Sequence, residues 1–405
     1  MLSINSCPSV SKKNPKVLIF SPSARGGIAE HTYYQAKALE NAGAKVICLV
    51  SPSFLAGRKT NFTTITCLPD PAEGPSSLTK KFRMAWQIIL SGYVLASKVI
   101  IHRPDLVLFD TYTEYLSPLW IDPHIFLSRI VGVCYAANLH DPVRSFVVGP
   151  LWWHRLSVWL AYQPLDFVLV HDKLPEFSSV PSRVRIVEVP IGFFDDGESI
   201  KKCEETKRDW GVEAGQKVFL AFGFVRDGKN LDLAIKALTE VTEAFLVIAG
   251  SIASSHERPF SFYRNLASEL KVDHRCKFFE GFVSDEALAD YFSAADFILL
   301  TYSSKFYSQS GVLGIAAKAR KPVLASASPS PLIESVRKYS LGVIIPPDVP
   351  REVISGMREL IDRPPEARWE EFEASASWEL NAKKILESAK CLINTTSAET
   401  KFPES

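Results

Sequence analysis

Phe297-Ile-Leu-Leu-Thr-Tyr302-Ser-Ser-Lys-Phe-Tyr307-Ser-Gln309-Ser310-Gly311-Val312-Leu-Gly-Ile315-Ala-Ala-Lys-Ala-Arg-Lys321-Pro322-Val-Leu-Ala325 is the stretch that decides the fold. Phe297–Thr301 and Pro322–Ala325 are apolar runs of strand length. Between them a polar loop turns at Ser308-Gln-Ser-Gly311 and enters a short helix rich in Ala and Leu. Strand, loop, helix, strand predicts a βαβ unit in a parallel sheet. A glycine at such a turn lets a ligand approach the backbone, and a helix start offers free N–H groups to an anion. The turn and helix start are thus expected to form a diphosphate clamp.

The same alternation extends outward. Val218–Phe222, Ala244–Gly250, Cys276–Glu280 and Gly342–Ile345 read as strands, separated by helical stretches at 231–240, 259–270 and 285–294. Residues 350–362 and 366–390 read as helices. The first half repeats the pattern more loosely. Val17–Phe20 breaks into Arg25-Gly26-Gly27, a helix follows from Ile28 to Asn41 with Gly43 closing it, and Lys45–Val50 is the next strand. Further strands fall at 104–109, 131–136 and 166–170, and the first half ends with the run 184–192. The expected architecture is two Rossmann-like, doubly wound parallel-sheet domains facing a cleft. The boundaries are 1–192 for the N-terminal domain, 193–216 for a charged, irregular linker and 217–365 for the C-terminal domain. A helix at 366–393 is expected to pack back on the first domain, and 394–405 to be a disordered tail.

The totals narrow the function. A chain of 405 residues that is 47% hydrophobic and 22% charged, with a formal net charge of +1, is an ordinary globular protein with sizeable cores. Nucleic-acid binding would call for a basic excess. Seven scattered cysteines with no CxxC pair suit reduced thiols in the cytoplasm, and the sequence shows no metal-ligand cluster. Met1–Pro15 lacks the apolar run of a signal peptide, and no stretch approaches roughly 18 uninterrupted apolar residues, so the sequons at Asn61 and Asn394 read as accidental.

Several other residues could carry chemistry. Gly26 and Gly27 open the first helix, where they suit a close phosphate or sugar approach or a plain tight turn. His31 either faces the cleft or packs beneath it. His140, in Asn138-Leu-His140-Asp141-Pro142, sits at a strand's carboxyl edge, where ligands of α/β sheets bind. Arg226 and Lys229 lie on the loop after Val218–Phe222, and two cations there could stabilise a diphosphate leaving group. A solvated surface loop would contain the same residues. Phe282 and Val283 could hold a nucleobase, with Asp285 as the cap of the next helix. In Leu151–Tyr162, Trp152, Leu156, Trp159 and Leu160 share one helical face and read as core, leaving Trp153, His154 and Arg155 as a weaker membrane-surface candidate.

Taken together, "GGIAEHTYYQAKALENAGAKVICLV", "FGFVRDGKNLDLAIKAL", "FLVIAGS", "FFEGFVSDEALADYFSAADFILLTY" and "SQSGVLGIAAKARKPVLAS" resemble the GT-B fold glycosyltransferases, in particular the retaining group 1, family 4 type. The resemblance spans nearly the whole chain. It implies that Arg226 and Lys229 bind the donor diphosphate and that Gln309, Ser310, Gly311 and Val312 cradle phosphate and sugar. It also implies that Gly26 and Gly27 lie near the acceptor, Phe282 and Val283 border the base, and His140 sits near the reacting sugar. Such enzymes usually need no metal or cofactor, the nucleotide-sugar being a substrate. Many relatives carry two glutamates where this chain has Tyr307 and Ile315, and His where it has Ile191; the Ser-Gln-Ser-Gly subset commonly lacks the glutamate pair.

The expectation is therefore a cytoplasmic glycosyltransferase acting with retention in polysaccharide or glycoconjugate biosynthesis. Its partners would be a nucleotide-sugar donor, a sugar or lipid-linked acceptor, and the inner face of a membrane at its periphery. A non-catalytic GT-B-like subunit and a nucleotide-sugar epimerase are the alternatives.

Overall fold

The computed structural model describes residues 14–55, 58–70, 78–140, 149–171, 180–193, 203–254, 256–307 and 310–399. The chain forms two compact units, one of residues 1–192 with 377–405 and one of residues 193–376.

The first unit holds seven parallel strands: β1 (Lys16–Phe20), β2 (Lys45–Val50), β3 (Thr63–Thr66), β4 (Leu106–Phe109), β5 (Cys134–Asn138), β6 (Phe167–Val170) and β7 (Arg185–Glu188). Their order is β3-β2-β1-β4-β5-β6-β7. Alternate residues feed two cores, one on each face: Leu18, Phe20, Val107 and Phe109 on one side, Val17, Ile19, Leu106 and Leu108 on the other. Burial on both faces is why these strands read as continuous apolar runs. The short edge strand β3, Thr-Thr-Ile-Thr, is mostly exposed and lacks that signature.

The second unit repeats the plan with β8 (Lys217–Phe222), β9 (Ala244–Gly250), β10 (Cys276–Glu280), β11 (Phe297–Leu300), β12 (Val323–Ser326) and β13 (Gly342–Ile345), in the order β10-β9-β8-β11-β12-β13. One local device recurs in both sheets. An aspartate just before β4, β6 and β11 accepts from a backbone N–H on the adjoining strand: Asp105 from Lys16 at 2.9 Å, Asp166 from Tyr135 at 2.8 Å and Asp296 from Val218 at 2.7 Å. Each satisfies a strand-end donor outside the ladder.

Four local readings change. Within 193–216, Cys203–Trp210 is a helix, because Trp210 is buried in the second unit's core and Lys207 pairs with Asp296 at 3.0 Å. The stretch read as one C-terminal helix is two, Trp369–Ser375 and Trp378–Glu399. The second packs in the first unit, with Ala382, Ile385, Leu386 and Ala389 in its core, and continues through 394–399, where no Gly or Pro stops it. Leu78–His102 is long and apolar enough to cross a membrane by length and composition, despite its interrupting polar residues. Finally, Leu151–Ala161 turns most of that face outward: Trp152, Leu156 and Trp159 are exposed, Leu160 packs partly against the core, and Ser157 and Ala161 face inward. The small residues win the inner face because the chain approaches closely there, with Ser117 Oγ donating to the Ser157 carbonyl at 2.6 Å.

Candidate functional site

Strand order reverses direction between β8 and β11 in the second unit, and ligands of open α/β sheets bind beyond the carboxyl ends at such a point. The loops leaving these two strands carry Arg226, Lys229, Ser310, Gly311 and Val312. Gly223 begins the first loop with φ +92°, and Gly250, at the end of β9, lies against it. A Cβ on Gly250 would fall 2.1 Å from the Gly223 carbonyl oxygen, so only glycine allows these strand ends to meet.

The two loops are stitched together. Thr301 Oγ1 donates to the Lys229 carbonyl at 2.9 Å, and the Ser303 N–H donates to the Gly228 carbonyl at 2.8 Å. Lys229 folds inward and its ammonium donates to the Phe222 carbonyl. A Cβ on Gly223 would stand 3.4 Å from Lys229 Nζ and 3.9 Å from Val312, which places this lysine beside the start of the helix Gly311–Lys318. Burial, with the positive charge of Arg226 nearby, pushes Lys229 down to about 7. Two cations that raise each other's cost form a site suited to a bound anion.

Tyr302 is a part of this site that motif reading misses. Its buried hydroxyl lies 2.8 Å from Ser310 Oγ and its ring stacks on Phe306 at 3.9 Å. Burial raises its pKa, against the bond to Ser310 and the charge of Arg226. Ser310 is the N-cap residue, yet its side chain does not cap the helix. Among the described residues the helix start therefore has no side-chain acceptor of its own, and it favours negative charge. Gln309 and Asp141 lie outside the described residues. Phe282 is exposed at the end of β10, Val283 packs partly into the core, and Ser284 rather than Asp285 caps the next helix, accepting from the Ala287 N–H at 3.3 Å.

In the first unit the corresponding reversal lies between β1 and β4. Gly26 has φ +81°, and neither Gly26 nor Gly27 has an atom within 4 Å of where a Cβ would stand. Behind this open turn, Asp110, the first residue after β4, is fully buried. It pairs with His31 Nδ1 at 2.7 Å and accepts from Thr32 Oγ1 at 2.5 Å and Asn138 Nδ2 at 3.3 Å. Burial alone would raise the Asp110 pKa, but His31 and His140 outweigh it and hold the carboxylate well below its usual range. Gln35 extends the network, bonding Asn138 at 2.8 Å and Asn381 at 3.1 Å, and Asn381 donates to the Pro190 carbonyl at 2.8 Å.

His140 stands with its Nε2 3.7 Å from Asp110 Oδ1. Around it the fold gathers what sequence spacing hides. His31 and His171, the residue after β6, have ring centroids 4.7 and 5.6 Å from that of His140. His31 thus packs within the unit, but not alone. The three offer imidazole nitrogens within 4.8 Å of one another, so a metal-ligand cluster absent from the sequence pattern is present in the fold. Asp110 and His171 do carry one signal that could have been read: each is the first residue past a parallel strand.

Residues 203–384 match the family described as "Glycosyl transferases group 1". The match falls mainly on the second unit, residues 193–376. Among curated proteins, the D-inositol 3-phosphate glycosyltransferase of Corynebacterium efficiens is 26% identical over 183 residues, 43% of this chain and 42% of that protein. Among solved structures, sucrose-phosphate synthase from Thermosynechococcus elongatus superposes with a TM-score of 0.71 at 16% identity, covering 94% of this chain and 100% of that one. Anabaena HepE in complex with UDP-glucose gives 0.67 at 15% identity, covering 95% and 100%. The whole chain has the GT-B glycosyltransferase fold. Arg226, Lys229, Ser310, Gly311 and Val312 lie within the matched residues, whereas Gly26, Gly27 and His140 lie in the other unit.

Proposed function

We propose that the protein transfers a sugar from a nucleotide diphosphate sugar to an acceptor hydroxyl with retention of anomeric configuration. The observation that carries this reading is the meeting of Arg226 and Lys229 with an uncapped helix start, at the strand reversal of a group 1 glycosyltransferase domain. As the glycosidic bond to the donor breaks, negative charge grows on the diphosphate. Arg226, Lys229 and the N–H groups at Gly311 and Val312 are preorganised to stabilise it. The two side-chain cations supply at the diphosphate the charge that other sites draw from a divalent ion. His140 is assigned to the reacting sugar, and Phe282 and Val283 to the base. HepE, crystallised with UDP-glucose, supports a nucleotide-sugar donor.

Incubation with a panel of nucleotide sugars and lipid-linked acceptors should yield a glycosylated product with the donor's anomeric configuration, read by NMR. Donor turnover without an acceptor would instead identify an epimerase, and binding without turnover a non-catalytic subunit.

Lys229 gives the reading a pH signature. The free loop loses its proton above pH 7, and a diphosphate binds best to the protonated form. Affinity for a nucleoside diphosphate should therefore fall by up to about tenfold per pH unit between pH 7 and 9, with proton uptake on binding. Calorimetry in two buffers of different ionisation heat measures both; a flat affinity over that interval refutes the assignment of Lys229.

A membrane-borne acceptor fits the first unit. Beneath Leu78–His102 lies a cavity of about 340 Å³ lined by Phe20, Met84, Ile88, Phe109 and Trp120, with Lys80 among its residues. The same helix exposes Phe82 and Trp86 beside Lys81 and Arg83. An apolar face with neighbouring cations suits an anionic bilayer surface. The protein should co-sediment with phosphatidylglycerol-containing vesicles at low salt, and Phe82→Glu with Trp86→Glu should reduce the bound fraction at least tenfold. Equal sedimentation of both forms would remove the membrane from the account.

A further inference from the structure

We propose that His31, His140 and His171 form a binding site for a divalent transition metal ion, Zn²⁺ being the best match. Three features of the cluster point to it. The first is the pattern of hydrogen bonds. His31 Nδ1 lies 2.7 Å from Asp110 Oδ1, and His171 Nδ1 lies 3.2 Å from the Val189 carbonyl oxygen. Each acceptor fixes the ring proton on Nδ1 and leaves the Nε2 lone pair as the ligand. A histidine that binds zinc typically donates its other ring N–H to a carboxylate or a backbone carbonyl in this way.

The second feature is what those lone pairs meet. His31 Nε2 and His171 Nε2 are both buried without a hydrogen-bond partner. A buried polar atom left unpaired is costly, and two in one cluster of neighbouring rings call for a shared partner.

The third is spacing. Three imidazoles around a tetrahedral ion, with metal–nitrogen bonds of about 2.0–2.1 Å, place their ring centroids about 5.2 Å apart. The observed separations are 4.7 Å for His31–His140, 5.2 Å for His31–His171 and 5.6 Å for His140–His171. The ligand nitrogens, within 4.8 Å of one another, need only pivot inward by ring rotation. Trp378 packs edge-on against His31 at 5.1 Å and gives the site an apolar wall, while His140, 22% exposed, leaves a side open for a fourth ligand from solvent. Bound there, the ion would tie the first helix to the loops leaving β5 and β6.

The site lies in the first unit and shares His140 with the transfer reading, but its readout is metal uptake rather than turnover, so the two can fail separately. Tag-free, chelator-dialysed protein titrated with Zn²⁺ against a chromogenic chelator should take up one ion per chain. With Co²⁺ it should show the intense visible absorption of a four-coordinate nitrogen-ligated site. His171→Ala, folded by circular dichroism, should weaken uptake about 100-fold or more. Absence of stoichiometric uptake by the wild type, a weak six-coordinate Co²⁺ spectrum, or unchanged affinity in folded His171→Ala would each overturn the proposal. Should that variant fail to fold, the wild-type Co²⁺ spectrum decides.

Discussion

Replacing Arg226 and Lys229 together with Ala is expected to cut sugar transfer at least about a thousandfold while leaving the protein folded. Removing a single preorganised donor to a developing anion typically costs about 10²–10³ in turnover, and here both charges go. The structure explains why the fold should survive. Arg226 is exposed, and the bonds from the Thr301 hydroxyl and the Ser303 N–H to the Lys229 and Gly228 carbonyls use neither the Arg226 nor the Lys229 side chain. Loss of the lysine also relieves the cost of burying its ammonium. The deficit should appear in both kcat and kcat/KM, because the charge on the diphosphate is greatest in the transition state. Transfer within about tenfold of wild type would mean that the leaving group departs elsewhere.

Asp110→Ala is expected to have the largest effect on stability, about 3–5 kcal/mol, since breaking a buried ionic network strands its remaining members. Asp110 is fully buried and holds three donors from two parts of the chain, His31 and Thr32 on the first helix and Asn138 at the end of β5. Urea unfolding followed by tryptophan fluorescence measures the loss. A change under about 1 kcal/mol would show that the carboxylate is not the anchor of this network.

These two residues also mark the limits of reading the chain without its fold. Arg226 and Lys229 could be found because their loop follows directly on an apolar strand, and in a parallel sheet that position alone puts a residue at the ligand-binding edge. Ser310 and Gly311 could be found for the same reason. Tyr302 could not, since its contribution is a bond to Ser310 that depends on how the loop between them folds. The His31–Asp110 contact joins residues 79 apart in sequence, brought together only by the strand order. The exposed face of Leu151–Ala161 is a different kind of miss. Helical periodicity correctly groups Trp152, Leu156 and Trp159, but a group of apolar residues does not say which way it faces. The departure at Tyr307 and Ile315 was plain from the sequence, and Ile315 packs partly into the second unit's core, which leaves charge stabilisation to Arg226, Lys229 and the helix start.

The most direct measurement is calorimetric titration of a nucleoside diphosphate into the wild-type protein and into the Arg226→Ala, Lys229→Ala variant at pH 7. The account predicts one site per chain in the wild type and affinity at least about a hundredfold weaker in the variant, since two charge-assisted contacts are lost. Equal affinity in the two proteins would contradict it.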